Sequence, residues 1–367
     1  MEDKRIYEIA LSLIPGVGSV LARNLVAYAG SVEAIFKKSH KELVKIPGIG
    51  EVNARRIKNS EIFKRAEKEF KFIEKYKIKS CFYTEPEYPR RLKNCTDAPV
   101  LFYSKGNMNL NEERIVSIVG TRNATDYGKS VCEELIRGFS EKNYRVVVVS
   151  GLAYGIDIQA HKMALKYGIP TVGVVAHGLD KIYPSQHAGT ARKMLDCGGL
   201  VSDFPSGTKI DPANFIRRNR IIAGLADATI VVESAEKGGA LITADIASSY
   251  NRDVFAYPGR AGDTYSMGCN RLIRLNGADL IEGIGDLEFF MGWESDKKDR
   301  IVQSTLFVDL TAEEQKVIDL LQLKGELFID QISTELKIPT SKASALLLNM
   351  EFKNLLLALP GKMYRLR

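Results

Sequence analysis

Residues 146–157, VVVVSGLAYGID, decide the fold class of this chain. Four consecutive valines are typical of a strand that is buried on both faces of a sheet. The strand runs into a loop of small residues that contains Gly151 and Gly155, and an amphipathic helical pattern follows Asp157. A buried strand that passes through a glycine loop into a helix is the repeating unit of a parallel α/β sheet.

The same unit recurs between residues 81 and 293. We predict strands at 115–119, 146–149, 171–175, 229–232 and 254–256, most of which end in a loop of small residues. In an open parallel sheet such loops line one edge, where ligands bind. Free loop amides and helix N-termini favour an anion, so this edge is predicted to bind phosphate.

The first 80 residues contain an internal repeat, IPGVG at 14–18 and IPGIG at 46–50. The repeat resembles helix-hairpin-helix modules, in which two glycines permit a tight turn between helices and expose backbone N–H groups. Such amides hold a phosphate without reading sequence. The same hairpin also serves to pack two helices, and the sequence leaves both interpretations open.

Positive charge is concentrated in this first region. The net charge of the chain is +7, and residues 1–80 hold 17 Lys and Arg against 10 Asp and Glu, which is also an excess of 7. A basic segment indicates a partner with a phosphate backbone. The mixed Glu and Lys run at 65–79 fits a solvated helix with i,i+4 pairs equally well.

These sequence patterns predict a Rossmann-like α/β core that is preceded and followed in the chain by a smaller domain. We expect a helical helix-hairpin-helix (SAM-like) domain at 1–80, the core at 81–293, a polar linker at 294–309 and a winged-helix domain at 310–367. Winged-helix helices are predicted at about 311–323, 329–336 and 340–353, with a wing that turns at Pro360 and Gly361. The third helix is mostly apolar, which favours packing or protein contact over duplex DNA binding.

Several functional classes are excluded by composition. The sequence has no run of about 18 apolar residues that could span a membrane. Its charged N-terminus does not resemble a signal peptide. The five cysteines are far apart and odd in number, which favours free thiols in a reducing cytoplasm. The four histidines lack metal-ligand spacing, so we expect a cytoplasmic protein without a metal.

The sequence also lacks the common nucleotide-binding and catalytic motifs. The loop after the first core strand has Arg122 where a dinucleotide site needs glycine, and the Gly128-Lys129-Ser130 triplet lacks the first glycine of a P-loop. Five titratable residues could gather at the sheet edge, but no catalytic motif organises them: Asp157, Asp180, Asp203, Glu233 and His177. We interpret Asp157 as a helix cap.

Residues 214–224, NFIRRNRIIAG, point to the nature of the phosphate ligand. Three arginines lie within four positions, and Phe215 lies just upstream. Arginine binds phosphate in a bidentate way and stacks on bases, and an aromatic ring adds about 1–3 kcal/mol per stacked base. This combination suits a flexible single strand. At least one arginine, most of all Arg220, is expected to form an internal salt bridge.

Taken in chain order, these motifs resemble the DNA-processing protein A family. The matching segments are GTR at 120–122, SGxxxGID at 150–157, GLDxxYP at 178–184, FxxRNRII at 215–222 and GCNxLI at 268–273. The resemblance implies a cytoplasmic bacterial protein of natural transformation that binds and protects incoming single-stranded DNA. It also implies a homodimer formed through the core and loading of the RecA recombinase, with neither catalytic turnover nor a cofactor.

The residues and the resemblance together predict a DNA-binding set along the sheet edge: Gly120, Thr121, Arg122, Ser150, Gly151, Gly155, Phe215, Arg217, Arg218, Asn219, Lys237, Gly239 and Thr243. The chain departs from the family pattern at three places. The family commonly has a serine in the loop that here reads KGGA at 237–240, a small residue at His177 and Glu at Asp203. The first two departures leave individual contacts open.

Two other functional classes remain as alternatives. A nucleotide phosphoribohydrolase on a Rossmann-like fold is expected to show P-G-G-x-G-T-x-x-E. Here KGGALIT at 237–243 is a partial match, with no proline and with Ile246 in place of the glutamate. The other alternative is a recombination regulator that acts mainly through protein contacts of its end domains.

Overall fold

Residues 4–293, 311–353, 355–359 and 362–366 are described by a computed structural model. They belong to two units, Met1–Asp296 and Lys297–Arg367. The first unit contains both the helical region and the α/β core, and the second contains the winged helix. The linker predicted at 294–309 lies outside the described residues, and the boundary at residue 80 stays a prediction.

The N-terminal region consists of six helices: α1 (Lys4–Leu13), α2 (Ser19–Ala29), α3 (Val32–Lys37), α4 (His40–Val44), α5 (Glu51–Ile57) and α6 (Glu61–Lys75). Both repeat segments form helical hairpins, between α1 and α2 and between α4 and α5, as predicted. Gly16 and Gly48 turn with φ of 80° and 82°, a region that favours glycine. The apolar core of these helices continues onto Phe82, Leu101 and Tyr103 of the sheet, so both regions fold together.

Nine strands form one sheet: β1 (Lys79–Phe82), β2 (Leu101–Asn107), β3 (Arg114–Val119), β4 (Val146–Ser150), β5 (Thr171–Val174), β6 (Gly198–Ser202), β7 (Ala228–Val231), β8 (Asp253–Ala256) and β9 (Asp279–Leu280). Their order is β1-β2-β6-β5-β4-β3-β7-β8-β9. The strands from β6 to β9 in this order are parallel, and β1 and β2 add an antiparallel edge. The Rossmann-like prediction is confirmed; the antiparallel edge is an addition to it.

Helices cover the sheet: α7 (Arg90–Lys93), α8 (Asp126–Glu141), α9 (Ile156–Lys166), α10 (Ala188–Met194), α11 (Pro212–Leu225), α12 (Gly239–Ser249), α13 (Met267–Arg274) and α14 (Ile284–Met291). From β3 the chain first builds β4, β5 and β6 toward one edge. It then crosses through α11 to β7, on the other side of β3. Such a reversal opens a crevice at the carboxyl ends of β3 and β7, where ligands of α/β sheets bind.

The five predicted strands are present, with their ends shifted by one residue at most. Strand β6 is not predicted, because it begins with two glycines rather than β-branched residues. A Cβ on Gly198 would lie 1.9 Å from the Thr171 carbonyl oxygen, and one on Gly199 would lie 2.4 Å from that of Lys105. Both neighbouring strands therefore approach too closely for a side chain, and the need for glycine removes the usual strand signal.

The second unit is a winged helix, as predicted. Helices α15 (Ala312–Lys324), α16 (Ile329–Leu336) and α17 (Thr340–Phe352) pack on strands β10 (Leu327–Phe328), β11 (Leu356–Leu359) and β12 (Met363–Leu366). The strands lie in the order β10-β12-β11. The predicted wing turn at Pro360 and Gly361 lies outside the described residues.

Three further features concern the cysteines, membrane-spanning helices and metal-binding clusters. The five cysteines are free thiols, and four of them are buried. Within the described ranges, no helix has the length and apolar character needed to cross a membrane. In the same part of the chain, no three His, Cys, Asp or Glu side chains gather so that they could hold a metal ion.

Candidate nucleic-acid interface

A cavity of about 790 Å³ opens at the carboxyl ends of β3 and β7, at the crevice that the strand order creates. Its walls are the loops after these two strands, the first half of α11 and the start of α12. Nine of the thirteen predicted residues line it: Gly120, Thr121, Arg122, Phe215, Arg218, Asn219, Lys237, Gly239 and Thr243. The other four lie outside its lining: Ser150, Gly151, Gly155 and Arg217.

The loop after β3 presents a cation beside an aromatic ring. A Cβ on Gly120 would lie 2.5 Å from a side-chain carbon of Ile156, so glycine lets this loop close against α9. The Thr121 amide donates to the carbonyl oxygen of Glu233 at 2.7 Å and ties the loop to the end of β7. Arg122 is exposed, and its guanidinium carbon lies 5.7 Å from the centre of the Phe215 ring.

The loop after β7 leads into a helix N-terminus that has no side-chain cap. Gly238 is the N-cap of α12, and a Cβ on Gly239 would meet no atom within 4 Å, so the space beside that residue is open. Lys237 is exposed next to these residues. Behind them, Asn219 and Thr243 donate to the Gly239 carbonyl at 3.4 and 3.2 Å. Uncapped amides, the helix dipole and a lysine together favour an anion.

Arg218 belongs to the floor of the cavity, because only 3% of it is exposed. It donates to the carbonyl oxygen of Val174 at 2.6 Å, at the end of β5. A Cβ on Gly151 would lie 2.0 Å from Arg218 Nη1 and 2.5 Å from Asp157 Oδ2, so the two charged groups meet there. Burial lowers the pKa of Arg218 to about 10, and the Asp157 charge opposes this change. Arg218 therefore stays protonated at neutral pH.

The other two arginines of α11 point away from the cavity, because successive helical residues are rotated by about 100°. Arg220 forms an ion pair with Asp203 at 2.5 Å, which confirms the internal salt bridge predicted for it. Arg217 is 3.7 Å from the same carboxylate, and its guanidinium lies 5.2 Å from the Phe204 ring centre. Its side chain is 58% exposed on this outer face.

Ser150 and the loop that follows it pack against the residues that line the cavity. The Ser150 hydroxyl is fully buried and donates to the Ile118 carbonyl at 2.6 Å. Gly155 has a φ of 76°, and a Cβ there would lie 2.1 Å from the Thr121 carbonyl oxygen. The helix-cap interpretation of Asp157 is wrong: Gly155 is the N-cap of α9, and the Asp157 carboxylate instead accepts from the Gly151 amide at 3.2 Å.

Three tyrosines that the sequence analysis did not select also line the cavity: Tyr154, Tyr183 and Tyr265. The first two are 42% and 45% exposed. The Tyr183 and Phe215 rings lie 5.9 Å apart, and the Tyr265 hydroxyl accepts from the Asn123 side chain at 3.0 Å. Each tyrosine lies in a glycine-containing loop between a strand and a helix, and this position is the signal that could have identified it.

Several of the titratable groups at this edge are bound to other groups of the protein. The Glu233 carboxylate accepts from the Thr125 amide and hydroxyl at 2.9 and 2.5 Å. His177 bonds the Gly178 carbonyl through Nδ1 at 2.8 Å and accepts from the Tyr183 amide at 3.2 Å. Burial lowers the pKa of His177, so its ring is neutral at pH 7. These contacts hold the loops in place.

Comparison with protein families gives three consecutive matches along the chain. A model described as DNA recombination-mediator protein A matches residues 79–291. A SAM-like helix-hairpin-helix tandem matches residues 8–60, and a DprA winged helix domain matches residues 308–362. The fold and the order of domains agree with these assignments.

The relatives that this chain resembles in sequence and in structure agree with these family matches. Protein Smf of Synechocystis is 35% identical over 286 residues, which cover 76% of this chain and 70% of the relative. Protein Smf of Escherichia coli is 34% identical over 292 residues, which cover 76% of this chain and 75% of the relative. The solved structure of DprA from Streptococcus pneumoniae is 32% identical with a TM-score of 0.68 and covers 79% of this chain and 98% of its own.

A second solved structure, of DNA processing protein A from Helicobacter pylori, is described as giving insights into its single-stranded DNA binding mode. It is 26% identical with a TM-score of 0.53, and the match covers 59% of this chain and 97% of that one. The family match over the core, the two Smf relatives and these structures show that the chain belongs to the DNA recombination-mediator protein A family.

Proposed function

We propose that this protein binds single-stranded DNA in the cavity at the carboxyl ends of β3 and β7 and delivers the strand to the RecA recombinase. One observation carries the proposal: the cavity combines exposed cations, uncapped helix amides and several aromatic rings in one place. Its volume of about 790 Å³ fits a small number of nucleotides rather than a duplex.

Phosphate groups have two sources of attraction in this cavity. Arg122 and Lys237 supply positive charge on opposite loops. The N-terminus of α12 supplies backbone amides and the positive end of a helix dipole, and the space beside Gly239 is open. None of these groups reads a base, so binding is expected to be independent of sequence and to weaken with salt.

Aromatic rings favour a single strand over a duplex. Phe215 and Tyr183 are neighbours in the lining, and Tyr154 and Tyr265 lie on other loops of the same cavity. Only unpaired bases can turn out and stack on such rings, at about 1–3 kcal/mol per base. The H. pylori relative with a described single-stranded DNA binding mode supports this assignment.

We further propose that the protein acts by binding and not by turnover. A nucleotide hydrolase would need a carboxylate free to activate water. Asp157 faces buried Arg218, Asp203 is paired with Arg220, and Glu233 holds Thr125. The proposal predicts no release of free base when the protein is incubated with nucleoside monophosphates.

The partners follow from the family resemblance, which implies a cytoplasmic homodimer formed through the core. The sheet edge next to β9 supports such a contact, since Leu275 and Leu280 are 62% and 41% exposed there. The winged helix supports a contact with protein rather than DNA, because α17 exposes Leu348 and Phe352 by 51% and 78%.

The test is a fluorescence-anisotropy titration of labelled single-stranded and duplex oligonucleotides at several salt concentrations. Arg122→Ala is expected to weaken single-strand binding strongly, whereas Arg217→Ala, on the outer face of the same site helix, serves as the matched control. Equal binding of the single strand by wild type and Arg122→Ala would reject the cavity as the site.

A further inference from the structure

One wall of the cavity is formed by a loop without helix or strand. Residues 203–211 connect β6 to α11, and Ile210 of this loop lines the cavity together with Pro212 at the start of α11. Asp211 ends the loop as the N-cap of α11, where its side chain accepts from the Ala213 amide at 2.8 Å. The position of the loop therefore decides where this wall stands and where α11 begins.

The α/β core holds the first residues of this loop. The Asp203 carboxylate forms its ion pair with Arg220, and the amide of the buried Phe204 donates to the Ser202 hydroxyl at 3.1 Å. None of residues 205–210 is buried. Burial of apolar side chains therefore does not fix the second part of the loop, which is the part that reaches the cavity.

Helix α6 of the N-terminal region binds the loop at Ser206. Glu69 accepts from the Ser206 amide at 2.9 Å and from the Ser206 hydroxyl at 2.5 Å. Arg65, one turn earlier in α6, donates to the Ser206 carbonyl oxygen at 2.5 Å and to Glu69 at 2.8 Å. Both backbone groups and the side chain of Ser206 are thus bound by residues that lie 137 and 141 positions earlier in the chain.

The Glu69 carboxylate is the centre of this contact. Only 1% of Glu69 is exposed, so its oxygens bind Ser206 and Arg65 in place of water. Hydrogen bonds to a charged group are stronger than neutral ones, and removing a buried acceptor leaves its donors unsatisfied. The Arg65 side chain is 33% exposed and can be hydrated when its partner is lost. Removing the carboxylate therefore releases the loop from α6 without leaving a buried unpaired charge.

We propose that Glu69 is a positioning residue of the single-strand site and acts by holding the loop at 203–211 against α6. This inference rests on the proposed function of the cavity. Neither Glu69 nor Ser206 lines the cavity, so both act through Ile210, four residues after Ser206. A wall that is already held in place loses less conformational entropy when the strand binds, which raises the affinity. The helical region thus contributes to single-strand binding without a contact between its hairpins and DNA.

The test is an anisotropy titration of the full chain with a labelled oligodeoxythymidine at several salt concentrations. The variants are Glu69→Ala and Ser206→Ala, which remove the two sides of the contact, and the double variant that combines them. The matched control is Glu8→Ala. Glu8 is also a glutamate of the helical region with 1% exposure, and its carboxylate pairs with Arg5 of the same helix at 2.8 Å.

Glu69→Ala is expected to weaken oligodeoxythymidine binding by about tenfold, because the loop must then be ordered when the strand binds. The slope of log K against log salt should stay that of wild type, since no phosphate contact is lost. Ser206→Ala loses one hydrogen bond and should weaken binding by about threefold. The double variant should bind like Glu69→Ala, because both changes remove the same contact, and the distant Glu8→Ala should bind within about twofold of wild type.

Three results would overturn the proposal: unchanged binding by Glu69→Ala, an equal loss in Glu8→Ala, or a changed salt slope in Glu69→Ala. If Glu69→Ala is unfolded at the assay temperature, Glu69→Gln replaces it, and unchanged binding by that variant likewise overturns the proposal. Arg122→Ala separates this proposal from the cavity assignment. A loss in Arg122→Ala without one in Glu69→Ala rejects only the positioning role, whereas equal binding by wild type and Arg122→Ala rejects the cavity itself.

Discussion

The cavity and the basic segment at residues 37–58 differ in the groups that accompany their cations. In the cavity, Arg122 and Lys237 stand among four aromatic rings. Residues 37–58 contain six exposed cations and no Phe, Tyr or Trp ring. Charge alone is attracted to any nucleic acid, whereas rings contribute only when bases are unpaired. The comparison teaches that the aromatic rings, rather than the amount of charge, are the feature by which we expect the cavity to prefer a single strand.

The largest effect is expected from reversing the charge at the cavity. Arg122→Glu should weaken single-strand binding by about a hundredfold or more, because it removes a phosphate contact and adds repulsion. Duplex binding should change by no more than about twofold, since a duplex does not fit into the cavity that Arg122 lines. Anisotropy titrations with both ligands measure the two effects, and a parallel loss for both would contradict the single-strand preference of the cavity.

Removing a ring should weaken binding without changing its electrostatic part. Phe215→Leu is expected to cost about 1–3 kcal/mol of single-strand binding, roughly ten- to a hundredfold. The salt dependence should stay that of wild type, because no charge is lost. Arg122→Ala is the contrasting variant and should lower the salt slope by about 1. A flattened slope for Phe215→Leu would show that the ring acts by orienting Arg122.

The shape of the cavity floor can be tested at Gly151. Gly151→Ala should lower the free energy of unfolding by about 1–3 kcal/mol, because the new Cβ would lie 2.0 Å from Arg218 Nη1. Single-strand binding should weaken while duplex binding is unchanged. Denaturant unfolding measures the first effect. Gly239→Ala is the control, since a Cβ there meets nothing within 4 Å, and an equal loss of stability in both would contradict the packing argument.

The smallest effect is expected at Arg217. Its side chain lies on the outer face of α11, near Asp203 and Phe204. Arg217→Ala should therefore change single-strand affinity by no more than about twofold, in the range of a surface ion pair. A tenfold loss in the same titration would mean that the strand continues over α11 and that the cavity is only part of the site.

The same helix shows what the sequence could and could not predict about the site. The motif places arginines at 217, 218 and 220 next to Phe215, and from this composition the sequence analysis predicts a phosphate-binding edge. The directions of these side chains depend on where α11 packs. Arg218 is buried under the cavity, Arg220 is paired with Asp203, and Arg217 faces away. The sequence identified Arg220 as the internally paired arginine, but it did not distinguish the buried Arg218 from the exposed Arg217.

The tyrosines of the cavity were not predicted for a related reason. Tyr154, Tyr183 and Tyr265 are far apart in the chain and converge only when the loops after different strands meet at one edge. The strands themselves were predictable where β-branched residues mark them, as in β4. They were not predictable where close neighbours demand glycine, as in β6.

Photo-crosslinking of a bromodeoxyuridine-substituted single strand, followed by mass spectrometry of the linked peptides, tests the central claim most directly. The account predicts that the crosslinks fall on peptides that contain Phe215, Tyr183 or Tyr265, and that they are lost in Arg122→Glu. Crosslinks confined to residues 37–58, or crosslinks to the cavity that persist in Arg122→Glu with equal yield, would contradict it.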